Sequence, residues 1–199
     1  VSCKGCRREC PTGVDMARMK IEVLHQYNKR HGLTLRQQLI AWLPRYAPIV
    51  SKFAPLLNLR DAIPGLPWVT EKLLGLSAKR SLPRWTGRLF VNPSAPSGEE
   101  VVLLVDTFNR YFEPENVHAA LGVRESAGYR VEIAAPREGG RPLCCGRTFL
   151  AAGLVDEARV EAQRMLDALR PFVDRGVPIV GLEPSCLLTL RDEFLVMGL

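Results

Sequence analysis

The spacing of apolar residues changes rhythm twice along these 199 residues. Between Thr12 and Gly32, Met16, Met19, Val23 and Tyr27 recur every three or four positions, which predicts a helix carrying that stripe on one face. Asp15 or Thr12 is placed to cap its start, and Gly32 to end it. From Leu33 onward the apolar residues come in short helical pieces interrupted by Pro44, Pro48, Pro55, Pro64 and Pro67. Proline lacks a backbone donor and clashes with the preceding turn, so this density forbids one long helix. Trp42, Tyr46, Phe53 and Trp68 are the expected anchors of this segment, and its apolar surface is expected to dock on another domain. A Pro/Ser/Gly-rich stretch at 93–98 marks a boundary.

Beyond that boundary the rhythm is strand, helix, strand, helix, strand. Short apolar runs at 101–105, 129–134 and 177–182 read as strands. The stretch from Pro114 to a stop at Gly128 reads as a helix. So does the stretch in which Val155, Ala158, Ala162, Met165, Leu166 and Leu169 form one stripe. The predicted class is α/β with a mainly parallel sheet. Three parts follow: residues 1–32, a ligand loop and helix; 33–95, a helical, proline-rich docking segment; and 96–199, the α/β domain. Sites in open α/β sheets lie beyond the carboxyl ends of strands. Asp106-Thr107-Phe108, the region of Cys144-Cys145-Gly146, and Glu183-Pro184-Ser185-Cys186 are therefore expected to converge on one pocket.

Charge divides the chain at nearly the same place. The net charge is +6, but residues 1–95 carry 16 Lys/Arg against 5 Asp/Glu, whereas 96–199 carry 11 Arg, no Lys and 16 Asp/Glu. The basic half suits an acidic partner domain or an anionic membrane surface, or is simply a set of solvated helix faces. No nucleic-acid-binding motif accompanies the charge, so DNA and RNA are not expected partners. No apolar run is long enough to cross a bilayer. No G-x-G-x-x-G, phosphate-binding loop or Ser/His/Asp arrangement supports nucleotide binding or hydrolysis.

Six cysteines fall in two constellations. Cys3, Cys6 and Cys10-Pro11 stand as C-x2-C-x3-C-P, a ferredoxin-type run lacking its first cysteine, whose place would lie before Val1. The chain also starts without Met, and it reads as part of something longer. Thiolates are soft, charged ligands, and a 4Fe–4S cube takes four of them, so Cys3, Cys6 and Cys10 are expected to be cluster ligands in the parent protein, Cys3 and Cys6 on one cube and Cys10 on another with the remaining ligands upstream, zinc being the alternative. The second constellation is Cys144-Cys145-Gly146 with Cys186. Neighbouring cysteines are poorly explained by packing, and Gly146 permits close approach of a ligand. Arg141 and Arg147 flank this loop, and Asn109 and Arg110 follow the first strand; they are candidates to contact an anionic substrate or acceptor, or are ordinary surface groups. His25, His31 and His118 are expected on the surface.

Three stretches together, "CKGCRRECPTGVDMARMK", "RPLCCGRTFLAAGLVDEAR" and "GLEPSCLLTLRDEF", resemble the iron–sulfur part of FAD-linked 2-hydroxy-acid dehydrogenases of the glycolate oxidase, D-lactate and D-2-hydroxyglutarate dehydrogenase type. The resemblance implies a truncated ferredoxin-like run ahead of a CCG-type domain, and FAD held in an upstream domain or partner. It implies electrons passing from flavin through 4Fe–4S clusters to a quinone or carrier protein. A cytoplasmic location is expected, the basic half allowing peripheral contact at the inner face of the membrane, and the resemblance implies that no residue in this chain acts on the hydroxy acid. Laid on the CCG pattern, Cys144, Cys145 and Cys186 match, while Thr107 and Glu183 stand where further cysteines would. This implies a metal site at Cys144, Cys145, Cys186 and Glu183, the last a harder oxygen ligand. Two other roles stay open: a scaffold or assembly domain that has lost its cluster ligands, and a dithiol redox site at Cys144-Cys145.

Overall fold

The computed structural model describes residues 5, 9–87, 98–137 and 139–198. Cys3, Cys6 and most of the 93–98 boundary lie outside them. Helix α1 (Met16–His31) starts at Asp15, whose carboxylate accepts the Arg18 amide, and ends at Gly32 with φ 74°. The cap and the stop are those expected. The buried face is not. Met16, Met19, Val23 and Tyr27 are all exposed, Val23 by 65%. The helix instead meets the rest of the molecule through Ile21, Leu24, His25 and Asn28. Periodicity tells which residues share a face, but not which face finds a partner. The partner here is the turn at Gly153, where a Cβ would lie 2.6 Å from the Leu24 carbonyl carbon. The His25 ring nitrogen bonds the Gly153 carbonyl at 2.9 Å, and the Asn28 amide donates to Ala152 O at 2.6 Å.

The prolines start helices more often than they break them. Helix α2 (Leu35–Ala41) opens with a reciprocal capping box between Thr34 and Gln37. It is followed by α3 (Leu43–Val50), a 3-10 turn (Ser51–Phe53), α4 (Ala54–Ala62) and α5 (Leu66–Leu74). Pro44, Pro55 and Pro67 sit in first turns, where the missing N–H has no intrahelical acceptor to lose. Pro48 lies inside α3. Of the expected anchors, Trp42 packs edge-on against Phe149, and Tyr46 is half-buried and donates to Leu39 O at 2.8 Å. Phe53 and Trp68 are exposed, by 59% and 61%, and belong to neither apolar core among the described residues; the Trp68 ring faces the Lys72 ammonium at 5.9 Å. The fastening there is Arg60: buried, it donates to Thr70 Oγ1 at 2.9 Å and Ser77 O at 2.8 Å, tying α4 to α5 and the run after it.

Strand β1 (Glu99–Leu104) leads through α6 (Thr107–Tyr111) and α7 (Pro114–Ser126) to β2 (Tyr129–Ile133). Then come α8 (Arg147–Ala151), α9 (Val155–Asp174), β3 (Ile179–Gly181), α10 (Pro184–Arg191) and a 3-10 turn (Phe194–Val196). The strands form a parallel sheet in the order β2-β1-β3, with Val101 opposite Val131 and Leu103 opposite Val180. Side chains alternate across β1. Val101, Leu103 and Val105 pack with Val117 and Leu121 of α7, while Val102 and Leu104 pack with Phe149 of α8 and Ala158, Ala162 and Met165 of α9. Helices on both faces explain why β1 is apolar throughout its second half. Each such side chain contributes about 1.5–3 kcal/mol on burial. The class is α/β with a small parallel sheet, as expected. Ile21, Ala41 and Trp42 of the helical part join the α8–α9 side of this core. Among the described residues no helix is long and apolar enough to cross a membrane.

Candidate functional site

The chain leaves β1 toward β2 across one face of the sheet, through α7, and returns to β3 across the other, through α9. Strands β1 and β3 therefore part at their carboxyl ends, where such folds open a crevice. A cavity of about 370 Å³ lies there. Asp106, Thr107 and Phe108 after β1, Cys144 and Cys145 before α8, and Glu183, Ser185 and Cys186 after β3 all line it, with Ile40 of α2 and Arg147, Thr148 and Ala151 of α8. The three segments singled out from the sequence do converge.

Local chemistry fixes each wall. The Asp106 carboxylate caps α6, accepting from the amides of Phe108 and Asn109 at 2.8 and 3.1 Å and from the Asn109 side chain at 2.5 Å. Thr107 is buried at the first position of α6. Glu183 caps α10, accepting from the Ser185 amide at 3.1 Å and from the Ser185 hydroxyl. Gly146, at φ 77°, lies so close to α9 that a Cβ would sit 2.9 Å from the Ala158 carbonyl oxygen, so no other residue fits there.

Cys144, Cys145 and Cys186 are buried free thiols. The Cys145 thiol donates to Cys186 Sγ at 3.1 Å, and the Gly146 amide donates to Cys144 Sγ at 3.4 Å. The Cys144 pKa stands well above the ordinary thiol value, through its hydrogen bond with Cys145 and through burial. For Cys145 the contact with Cys144 acts to lower the pKa, but the bond with Cys186 and burial outweigh it and push the thiol up. Among the described residues no three Cys, His, Asp or Glu side chains gather as a metal-holding group. A cluster ligated by five thiolates does not fit a site in which Thr107 and Glu183 supply oxygens at helix starts.

Arg141 and Arg147 are both partnered. Arg141 makes a bidentate pair with Glu161, at 2.5 and 2.6 Å, and Arg147 meets Glu193 at 3.3 Å. Of the two, only Arg147 lines the cavity. Glu161 is the residue that sequence reasoning missed. It lies in the apolar stripe of α9 and is 0% exposed. Arg45 of α3 reaches it at 3.0 Å and Arg164 at 3.0 Å, and Arg45 also pairs with Glu157. Burial acts to raise the Glu161 pKa, but Arg141 and Arg45 overcome it and hold the carboxyl below the usual range. The available signal was a carboxylate three residues after Ala158 and four before Met165, inside a stripe meant for the core.

Of the first constellation the described member is Cys10. Its Sγ contacts Thr12 Oγ1 at 3.0 Å, and the turn is closed by Gly13 N to Cys10 O at 3.1 Å. The Thr12 hydroxyl, then the backbone amides of Val14, Thr12 and Gly13, lower the Cys10 pKa. Donors directed at sulfur favour the thiolate and suit a cluster ligand.

No family model matches the chain, and no solved structure matches it. Relatives among known proteins run along nearly all of it. The D-2-hydroxyglutarate dehydrogenase of Pseudomonas putida is 28% identical over 98% of this chain, and that of Escherichia coli 23% identical over 98%. One subunit of the anaerobic glycerol-3-phosphate dehydrogenase of Escherichia coli is 22% identical over 81% of this chain and 41% of its own length. The chain spans 20% of the length of the D-2-hydroxyglutarate dehydrogenases it matches. It is thus similar, almost end to end, to one part of larger dehydrogenases.

Proposed function

We propose that this chain is the electron-transfer part of a flavin-linked 2-hydroxy-acid dehydrogenase, with FAD in the remainder of the polypeptide or in a partner subunit, and a quinone or carrier protein as acceptor. One observation carries the reading. The same stretch of sequence recurs in dehydrogenases named for two different alcohols, D-2-hydroxyglutarate and glycerol 3-phosphate. A unit shared by two substrates serves what their oxidations have in common, the removal of electrons, and not recognition of either molecule.

Cys3, Cys6 and Cys10 would hold 4Fe–4S clusters, for which the Thr12 hydroxyl and the amides around Cys10 suit that sulfur. Bound there, the clusters supply one-electron chemistry between a two-electron flavin and the acceptor. The chain's own residues fix the geometry around them: the turn at 10–13 orients Cys10, and α1 ties that turn to the α8–α9 corner through His25 and Asn28. The exposed apolar side chains of α1, α4 and α5, in the half that carries the excess of Lys and Arg, are the docking face for the flavin-bearing part. A second reading applies to the α/β half alone, as a scaffold without a cluster. The placement of Thr107 and Glu183 at helix starts favours it.

The test is iron and acid-labile sulfide in anaerobically prepared full-length protein, with Cys10→Ser beside a Cys144→Ser/Cys145→Ser/Cys186→Ser triple variant. Cys10→Ser is expected to lower iron and slow acceptor reduction while the hydroxy acid still bleaches the flavin. Unchanged iron in Cys10→Ser overturns the electron-transfer reading. Iron lost from the triple variant overturns the scaffold reading of the α/β half.

A further inference from the structure

We infer that Cys145 and Cys186 form a reversible dithiol–disulfide pair that exchanges two electrons with small organic disulfides entering the cavity beyond β1 and β3. This is a different pair from the adjacent cysteines that the sequence suggests, and it does not depend on the clusters assigned to Cys3, Cys6 and Cys10.

The geometry points to this pair. The two sulfurs are 3.1 Å apart, both are free, and both are buried. A disulfide bond is about 2.05 Å long, so closing it requires the sulfurs to approach by about 1 Å. The sulfurs come from elements 41 residues apart, which leaves their torsions independent. Neighbouring Cys144 and Cys145 would instead close a small ring through their shared peptide, far from unstrained disulfide geometry. The backbones that carry the pair are held in place. Gly146 sets the Cys145 loop against Ala158, and the Cys186 amide donates to Glu183 O at 3.1 Å in the first turn of α10.

The cavity supplies access. All three thiols line it, and its volume of about 370 Å³ lies within the range of small-ligand sites. Ile40, Phe108 and Ala151 give an apolar wall, and the Thr148 and Ser185 hydroxyls give polar points on it. In the reaction, one sulfur of the pair first gives its proton to solvent in the cavity, a step that burial disfavours for Cys145 and that rising pH speeds; the thiolate then attacks a small disulfide R–S–S–R, forming a mixed disulfide and releasing one thiolate RS⁻. The second cysteine sulfur attacks the protein-bound sulfur, the Cys145–Cys186 bond forms, and the second RS⁻ leaves. The two cysteine protons end on the two released thiols. The pair loses two electrons and the small disulfide gains them; excess thiol reverses the sequence.

The test uses full-length protein, anaerobic and with a chelator present, equilibrated across ratios of 2-mercaptoethanol to 2-hydroxyethyl disulfide, then alkylated and mapped by mass spectrometry. A Cys145–Cys186 cross-linked peptide is expected to rise and fall reversibly with the ratio. It should persist in Cys144→Ser and vanish in Cys186→Ala. A Cys144–Cys145 link, mixed disulfides alone, or no loss of free thiol overturns the proposal, as does loss of the link in Cys144→Ser. If Cys186→Ala fails to fold, the wild-type and Cys144→Ser maps decide by themselves. The iron measurement on Cys10→Ser is independent, so either idea can fail without the other.

Discussion

The helical part at 9–87 and the α/β part at 98–198 both expose apolar side chains, Val123, Val173 and Leu195 among those of the latter, but the α/β part also closes a core of large ones, whereas the helical part buries alanines such as Ala41, Ala47 and Ala54. In the α/β part, β1 is covered on both faces, and Val101 to Val105, Phe149, Met165 and Leu169 are all buried. In the helical part, Met16, Met19, Val23, Tyr27, Ile49, Phe53, Leu56, Trp68 and Leu73 face outward. The difference lies in what each element has to pack against. A parallel sheet with helices on both faces makes a closed core by itself. Helices of seven to nine residues, such as α2 to α5, bury only the side that meets the sheet layers or another short helix. Apolar content alone therefore does not distinguish a core from an interface. The uncovered half is also the basic one, which is why we assign it the docking role.

Paired truncations break this comparison most sharply. Phe149→Ala, at a side chain 0% exposed, should lower stability by about 3–5 kcal/mol. Phe53→Ala should change it by less than about 0.5 kcal/mol. Urea unfolding of the two variants measures both. If Phe53→Ala proved as damaging as Phe149→Ala, the helical part would hold a core of its own.

Glu161 joins the two regions, since Arg45 comes from one and Arg141 and Arg164 from the other. Glu161→Ala leaves three guanidiniums around an empty site, and a loss of about 3–5 kcal/mol is expected. Near-wild-type stability in urea would show that the network does not couple the halves. Its pH signature follows from the depressed carboxyl pKa. The contribution of Glu161 is complete above the unfolded carboxylate value of about 4.3 and fades as pH falls through the lower folded value. Urea midpoints should therefore fall more between pH 7 and pH 3 in wild type than in Glu161→Gln. Equal falls would remove Glu161 from the acid response.

Among the contacts expected to matter, the weakest is at the entry to α2. Thr34→Ala removes the reciprocal cap with Gln37 and should lower stability by about 1 kcal/mol. Hydrogen exchange at the first-turn amides should rise with it. A cap whose loss leaves both unchanged would mean that α2 is held by its tertiary contacts instead, through Ala41 and the Thr148 hydroxyl that donates to Ala41 O at 3.0 Å.

Much of the α/β half was legible because its signals are local. The strand runs, the helix start at Pro114 and the stripe of α9 depend on residues near one another in sequence. The convergence of Asp106, the Cys144-Cys145 loop and Glu183 follows from a general rule about strand ends. The helical half was less legible. Apolarity points to the stripe on α1 and to Phe53 and Trp68, whereas the structure fastens these helices by polar groups: Asn28 to Ala152, Arg60 to Ser77, and Arg45 to Glu161. Hydrogen-bond partners far apart in the chain leave no periodic trace.

The sequence by itself determined the cap and stop of α1, the helix start at Pro114, the approximate places of three strands, the α/β class, the charge division, and which chemical groups could meet beyond the strands. Those are consequences of backbone sterics, side-chain polarity and alternation, each acting over a few residues. Only the tertiary structure decided which helix faces are covered, that Arg141 belongs to Glu161, and that Cys145 faces Cys186 while Cys144 turns to the Gly146 amide. Those choices depend on distances between distant segments, which are set when the sheet layers close and the crevice between β1 and β3 takes its shape.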